Sequence, residues 1–254
     1  MRLRLIVAAT AAAVATLAFS APASASHSWG GYHWARTANP FTLKLGDNVS
    51  SVWDSYLQTA ASDWSQSRVL DLSIVAGSAN PKTCKATTGM VQVCNATYGN
   101  NGWLGIAGIS ITGGTHITKA YVKLNDTYFN TAQYNTSAWR NLVTCQEVGH
   151  TFGLDHQDEN FDNPNLGTCM DYTNSPGTNQ HPNQHDYDMI EQIYAHLDST
   201  TTVGMAVPAG APAVGDSPSS WGKLVSGSAT HGAGVYVRDF GHGNLFVTHV
   251  FWAN

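Results

Sequence analysis

Residues 145–156 read Cys-Gln-Glu-Val-Gly-His-Thr-Phe-Gly-Leu-Asp-His, and Gln146, Glu147, His150, Gly153 and His156 could do chemistry together. Positions 146 and 150 are four apart and share a helix face, so one rigid element would offer two donors to one point. Gly153 turns the chain, and His156 then supplies an imidazole from outside the helix. Imidazole nitrogens at this spacing suit a divalent transition metal, zinc first among them. Glu147 stands beside these donors without being one, placed to hold a water and take its proton. Zinc would lower that water's pKa to about 7. With histidine at position 146 the segment would read H-E-x-x-H-x-x-G-x-x-H.

Gln146 is the departure. An amide oxygen is a harder and weaker zinc donor than an imidazole nitrogen. Disturbing merely the partners of zinc ligands costs ~10–100-fold in affinity, so a weakened ligand costs at least that. Three arrangements stay open. Gln146 Oε1 ligates directly; Tyr172, His181 or His185 completes the set; or the site is vestigial. A working site is the better reading, because fold maintenance does not explain a carboxylate beside two histidines aimed at one point.

A second motif follows in order, Gly167-Thr-Cys-Met-Asp-Tyr. With both motifs, residues 38–198 resemble the metzincin metalloproteases, near the matrixin-like, astacin-like and snapalysin-like branches. Met170 matches the methionine of that family's Met-turn. Tyr172 matches a tyrosine that in astacins and serralysins reaches the zinc or the oxyanion. The resemblance implies an α+β fold with an α/β N-terminal subdomain: a metzincin-like twisted mixed sheet, an active-site helix, the Met-turn and a C-terminal helix. It further implies a secreted zinc-dependent endopeptidase acting on an extended polypeptide. Gln146, His150 and His156 would hold zinc, Glu147 would act as general base and Tyr172 would stabilise the oxyanion. Residues 102–108 would lie at the sheet edge, where a substrate strand could add by main-chain hydrogen bonds; a plain core strand reads equally well. The rival reading is a catalytically inactive metzincin-like domain that binds polypeptide.

The elements that must position these residues are legible in outline. Phe41-Thr-Leu-Lys-Leu alternates as a strand, Val49–Ser65 has helical spacing, and Leu70–Ala76 is a second strand ended by Gly77. Gly105–Thr112 and Ile117–Leu124 form a hairpin around Gly113-Gly114. The metal helix runs from about Ser137 to Phe152, ended by Gly153, and Asp186–Leu197 makes another amphipathic helix. Residues 157–183 read as mostly irregular. A Pro/Ala/Gly/Ser linker spans 199–220, and residues 221–254 look like a β-hairpin tail joined through Gly241-His-Gly-Asn. Two strands alone are marginal, so the tail should dock on the main domain or on a partner.

Residues 1–25 read as a signal peptide: Arg2 and Arg4, an apolar run from Leu5 to Phe19, and Ala23-Ser24-Ala25 for cleavage. That run is too short for a committed membrane span, and no later stretch is apolar enough. The formal charge of −5 grows more negative once Arg2 and Arg4 are removed, which argues against nucleic acid or an anionic membrane as partner. The expectation is a secreted, monomeric protein. Its four cysteines then pair as Cys84–Cys94 and Cys145–Cys169, the second bond tying the metal helix to the Met170 segment. His27, His33, His116, His196, His231, His242 and His249 lack ligand spacing and read as surface or hydrogen-bonded residues. Asp155, Asp158, Glu159, Asp162 and Asp171 crowd the site's flank. They read as a solvated rim suited to basic substrates, with a Ca2+ site as a weaker expectation.

Overall fold

A computed structural model describes residues 27–204, 211–212 and 214–253. The expected signal peptide and part of the expected linker lie outside them. The described chain is a mixed α+β fold with few helices against one nine-stranded sheet.

In chain order the elements are β1 (His33–Trp34), β2 (Phe41–Asn48), α1 (Asp54–Trp64), β3 (Leu70–Ala76), β4 (Val91–Ala96), β5 (Trp103–Thr112), β6 (His116–Asn125) and α2 (Asp126–Phe129). There follow α3 (Ser137–His150), α4 (Gln184–Ile193), α5 (Pro218–Trp221), β7 (Lys223–Gly227), β8 (Ala233–Asp239) and β9 (Leu245–Trp252). The sheet runs β3-β2-β4-β6-β5-β9-β8-β7, with β1 paired to β6. Strands β3, β2, β4 and β6 are parallel, and from β5 onward neighbours are antiparallel.

Local patterning accounts for most of this. In β2, Phe41, Leu43 and Leu45 are buried while Thr42 and Lys44 are exposed, so one face enters the core. Helix α1 buries Leu57, Ala60, Ala61 and Trp64 against it, four residues at helical spacing. It begins at Asp54 rather than Val49, because Ser50 to Trp53 close a turn (Trp53 N donates to Ser50 O at 2.8 Å). Helix α4 stops at Ile193, short of Leu197, which is exposed. Strand β4 occupies part of what read as a disulfide loop. Its near-continuous burial belongs to a strand flanked by others on both sides and covered on both faces.

The tail is where expectation and structure part most. It has three strands, not two, and β9 pairs antiparallel with β5 along nearly its whole length, from Leu245 opposite Ile111 to Trp252 opposite Trp103. Residues 102–108 are therefore interior to the sheet. The edge expected to receive a substrate strand is filled by the chain's own C-terminal segment.

Two apolar clusters lie on the sheet. The larger joins α1, α3 and α4 to Leu43, Leu45, Val93, Ile109, Val122, Val247 and Phe251. The smaller gathers Trp103, Ile106, Tyr121, Trp221, Phe246 and Trp252. Both expected disulfides are present, Cys84–Cys94 and Cys145–Cys169, and no cysteine among the described residues is free. No helix among the described residues is long and apolar enough to cross a membrane.

Candidate metal centre

Helix α3 starts where the Thr136 side chain accepts a hydrogen bond from Trp139 N at 3.3 Å. From Leu142 to His150 all its residues are buried, because it lies between the sheet and the Met170 segment. Gly149 permits that approach: a Cβ there would stand 2.9 Å from Met170 Sδ and 2.8 Å from Trp64. Beyond the helix, Gly153 adopts φ +100° and sends the chain back toward the site. The N-terminal arm holds this return, with Trp29 N donating to Gly153 O at 3.1 Å and Asp155 N to His27 O at 2.6 Å.

The side chains so placed converge. His150 Nδ1 faces Leu154 O at 2.8 Å; a carbonyl only accepts, so the proton sits on Nδ1 and the lone pair on Nε2. That Nε2 is buried without any partner. His156 stands with its ring centroid 4.5 Å from that of His150, its Nδ1 engaged by Tyr172 Oη at 2.9 Å and Asp155 Oδ1 at 3.3 Å. The third imidazole is His249, from β9. Its ring stacks on His150 at 3.9 Å and 11°, and neither of its nitrogens has a partner. Ligand atoms of His150, His156 and His249 all lie within 4.8 Å of one another.

The expectation for His249 is thereby corrected. It is 1% exposed and at the centre of the site, not on the surface. A signal existed in the sequence: on β9, His249 shares a face with Val247 and Phe251, both core residues, so a polar ring interrupts an apolar stripe. His181 and His185, named as stand-ins for the missing ligand, are elsewhere. His181 Nδ1 meets Asp63 at 2.6 Å, and His185 stacks on His27 at 4.9 Å.

Gln146 lies on the same buried helix face. Its Nε2 donates to Cys169 O at 2.8 Å, bracing the helix against the Met170 segment beside the Cys145–Cys169 bond, while its Oε1 is buried and unpartnered. Glu147 is also 1% exposed, with Oε2 unpartnered. It packs beneath β5, where a Cβ at Gly105 would lie 2.7 Å from Glu147 Oε1 and 2.6 Å from Val143 Cγ1. Ala107, opposite His249 in the ladder, gives its amide to the Glu147 carboxylate.

Burial sets the electrostatics. Loss of solvation pushes the Glu147 pKa well above the ordinary carboxylate value, against that one amide. Burial, and then the neighbouring imidazoles, hold His150 well below 6.5, and burial does the same to His249. Burial also opposes charge on His156, but hydrogen bonds to Asp155 and Glu159 carry its pKa upward. Burial raises Tyr172, with the carboxylates of Glu159, Asp155 and Glu147 adding to it.

Of the acidic flank, only Asp155 and Glu159 turn toward the site, through His156. Asp158 is spent on its own loop, on Asn160 N and Asn163, and Asp171 Oδ2 accepts from Leu166 N and Asn179 there, its Oδ1 being buried without a partner. Calcium therefore gains no support. Beside the site opens a cleft of about 390 Å³ between residues 159–162 and the 227–233 turn, with Tyr172 in its wall.

No family model matches the chain, and no curated protein matches it by sequence. Among solved structures the chain is similar to high choriolytic enzyme 1, a hatching-enzyme zinc-protease from the medaka fish Oryzias latipes. The identity is 10% and the TM-score 0.35, over 64% of this chain and 94% of that one. A likeness at that level assigns neither a fold family nor an activity.

Proposed function

We propose that the chain is a zinc-dependent metalloendopeptidase whose C-terminal strand supplies the imidazole that Gln146 withholds. What supports this reading above all is the set of orphaned buried atoms. Unpaired polar atoms inside a protein are costly, yet His150 Nε2 and both nitrogens of His249 are left so where ligand atoms of His150, His156 and His249 converge, and Glu147 Oε2 and Gln146 Oε1, on the same helix as His150, are unpaired as well. A divalent ion with three imidazole ligands and an open position would satisfy such a donor set, and those ligand types suit zinc.

His150, His156 and His249 would hold the ion, with Gln146 Oε1 in reserve as a weak oxygen donor. The backbone carbonyl of Leu154 and the side chains of Asp155 and Tyr172 orient the histidines through their second nitrogens. Zinc, when bound, supplies Lewis acidity toward water and toward a scissile carbonyl. Glu147, its proton affinity raised by burial, is suited to take a proton from water and pass it to a leaving amine. Tyr172 is proposed to steady negative charge on the substrate oxygen, its hydroxyl already held beside His156.

Because β9 fills the β5 edge, the polypeptide must come by another route. The cleft walled by Phe161, Tyr172 and the 227–233 turn is the proposed entrance. A secreted location and the metzincin-like details of the fold belong to this same proposal.

The decisive measurement is hydrolysis of a denatured protein substrate by zinc-loaded protein and its Glu147→Gln variant. Loss of ~100-fold or more, with zinc content unchanged, is expected. A second reading is favoured by the depth at which Glu147 is buried beneath β5: a domain that holds metal and binds polypeptide without cleaving it. Wild type that binds zinc yet cleaves no faster than Glu147→Gln would select that reading.

A further inference from the structure

A second group of ligand-type side chains gathers away from the metal centre. His33 in β1, His116 at the start of β6 and His196 beyond α4 bring their Nε2 atoms to 3.5, 3.3 and 3.7 Å from one oxygen, Asp198 Oδ1. His33 Nε2 is also 3.1 Å from His196 Nε2. The rings of His116 and His196 stand edge-on to that of His33, at 81° and 89°.

Hydrogen bonds alone account poorly for this spacing. Good N–H···O bonds span ~2.7–3.2 Å, and all three approaches to Asp198 Oδ1 are longer. His33 has in addition committed its Nδ1 proton to Gly31 O at 2.8 Å, which leaves a lone pair facing the cluster when the ring is neutral. A shared ion accounts for it better. Donors bound to zinc at ~2.0–2.1 Å stand about 3.3 Å apart at tetrahedral corners, and the ligand atoms of His33, His196 and Asp198 all lie within 4.8 Å of one another. The other carboxylate oxygen of Asp198 is already held, by Arg36 Nη1 at 2.9 Å and Arg36 N at 3.1 Å. That grip presents Oδ1 as a single-oxygen ligand, and Asp198 N returns a bond to Arg36 O at 2.9 Å.

We propose that His33, His196 and Asp198 form a second metal site, a structural zinc site with three protein ligands. It shares no residue with the centre on α3. It would clasp the N-terminal arm to the chain leaving α4. The arm it anchors is the one whose residues 27–29 hold Gly153 and Asp155 in place. The clasp therefore steadies the backbone that carries His156.

Metal content decides it. The mature protein, stripped with chelator, reloaded with zinc and desalted, should carry two zinc ions per chain by mass spectrometry. The His150→Ala/His249→Ala variant should keep one, and the cobalt-loaded form of that variant should show the visible band of tetrahedral cobalt. Adding His33→Ala and His196→Ala to it should leave none. His196→Gln alone should weaken the retained ion at least tenfold in a chelator competition. His196 is about half exposed, so this last variant keeps its fold. A folded His150→Ala/His249→Ala protein that binds no zinc would overturn the proposal, as would zinc retained undiminished when His33 and His196 are also removed. Neither result bears on whether the α3 centre cleaves peptides.

Discussion

At the scale of single residues, everything turns on which side chain makes up for Gln146. Its amide is already used to brace Cys169, whereas His249 has two buried nitrogens and no other task. Replacing His249 with alanine should weaken zinc by at least ~10–100-fold in a chelator competition. Gln146→Ala should cost about 1 kcal/mol of stability from the lost hydrogen bond but much less zinc affinity. The opposite ranking would return the third-ligand role to Gln146. Gly105 offers a different lever, since a methyl there would intrude on Glu147 Oε1 and Val143 Cγ1. Gly105→Ala should destabilise by roughly 1–3 kcal/mol, as overpacking does. It should also lower hydrolysis more than that loss explains, because Glu147 must shift to make room. A Gly105→Ala protein with unchanged turnover would place Glu147 outside the chemistry.

At the scale of elements, local pattern announced what local forces build. Alternation in Phe41–Leu45, the Gly113-Gly114 turn and the 146/150 spacing on α3 each depend on residues near one another in sequence, and each is found as read. His150, His156, Glu147 and Met170 were legible for the same reason. What was not legible is long-range pairing. Nothing within β9 names β5 as its neighbour, and the two lie more than 130 residues apart, so His249 looked idle. Strand β4 was hidden because strands buried on both faces lose the alternation that marks them. Removing residues 205–254 should therefore do two things at once. It takes away His249, and it bares the ten-residue edge of β5 with Trp103 and Ile106 stripped of their apolar cover. The shortened chain should aggregate by light scattering and lose zinc at the α3 centre. A truncated protein that stays monomeric and keeps that zinc would mean the tail is an accessory and Gln146 suffices.

At the scale of the whole molecule, the buried titratable groups make the metal-free protein's stability peak within a narrow pH range. His27, His33, His150 and His249 all have pKa values pushed below 6.5, chiefly by burial. Each contributes stability that is present above pH 6.5 and lost as pH falls through its depressed folded value, because only the unfolded chain gains the proton there. Glu147 works the other way. Its raised pKa contributes stability that is present below 4.5 and lost as pH climbs through the folded value. Asp171 and Asp186, raised more modestly, act in that sense too, and His156, raised above 6.5, adds a loss on the alkaline side. Between pH 5 and 6.5 four imidazoles outweigh these carboxyls, so stability should rise with pH. Above 6.5 the unfolded imidazoles are neutral, while folded His156, and Glu147 for as long as it stays protonated, keep protons that the unfolded chain has lost, which should turn the curve down. Denaturant midpoints of chelator-stripped protein should thus peak near pH 6.5. Saturating zinc should move the peak upward, since the ion competes with protons for the same imidazoles. Midpoints that climb steadily to pH 8 without zinc would show that neither Glu147 nor His156 keeps a proton in the folded chain that the unfolded chain has lost, against the raised proton affinity on which the proposed role of Glu147 rests.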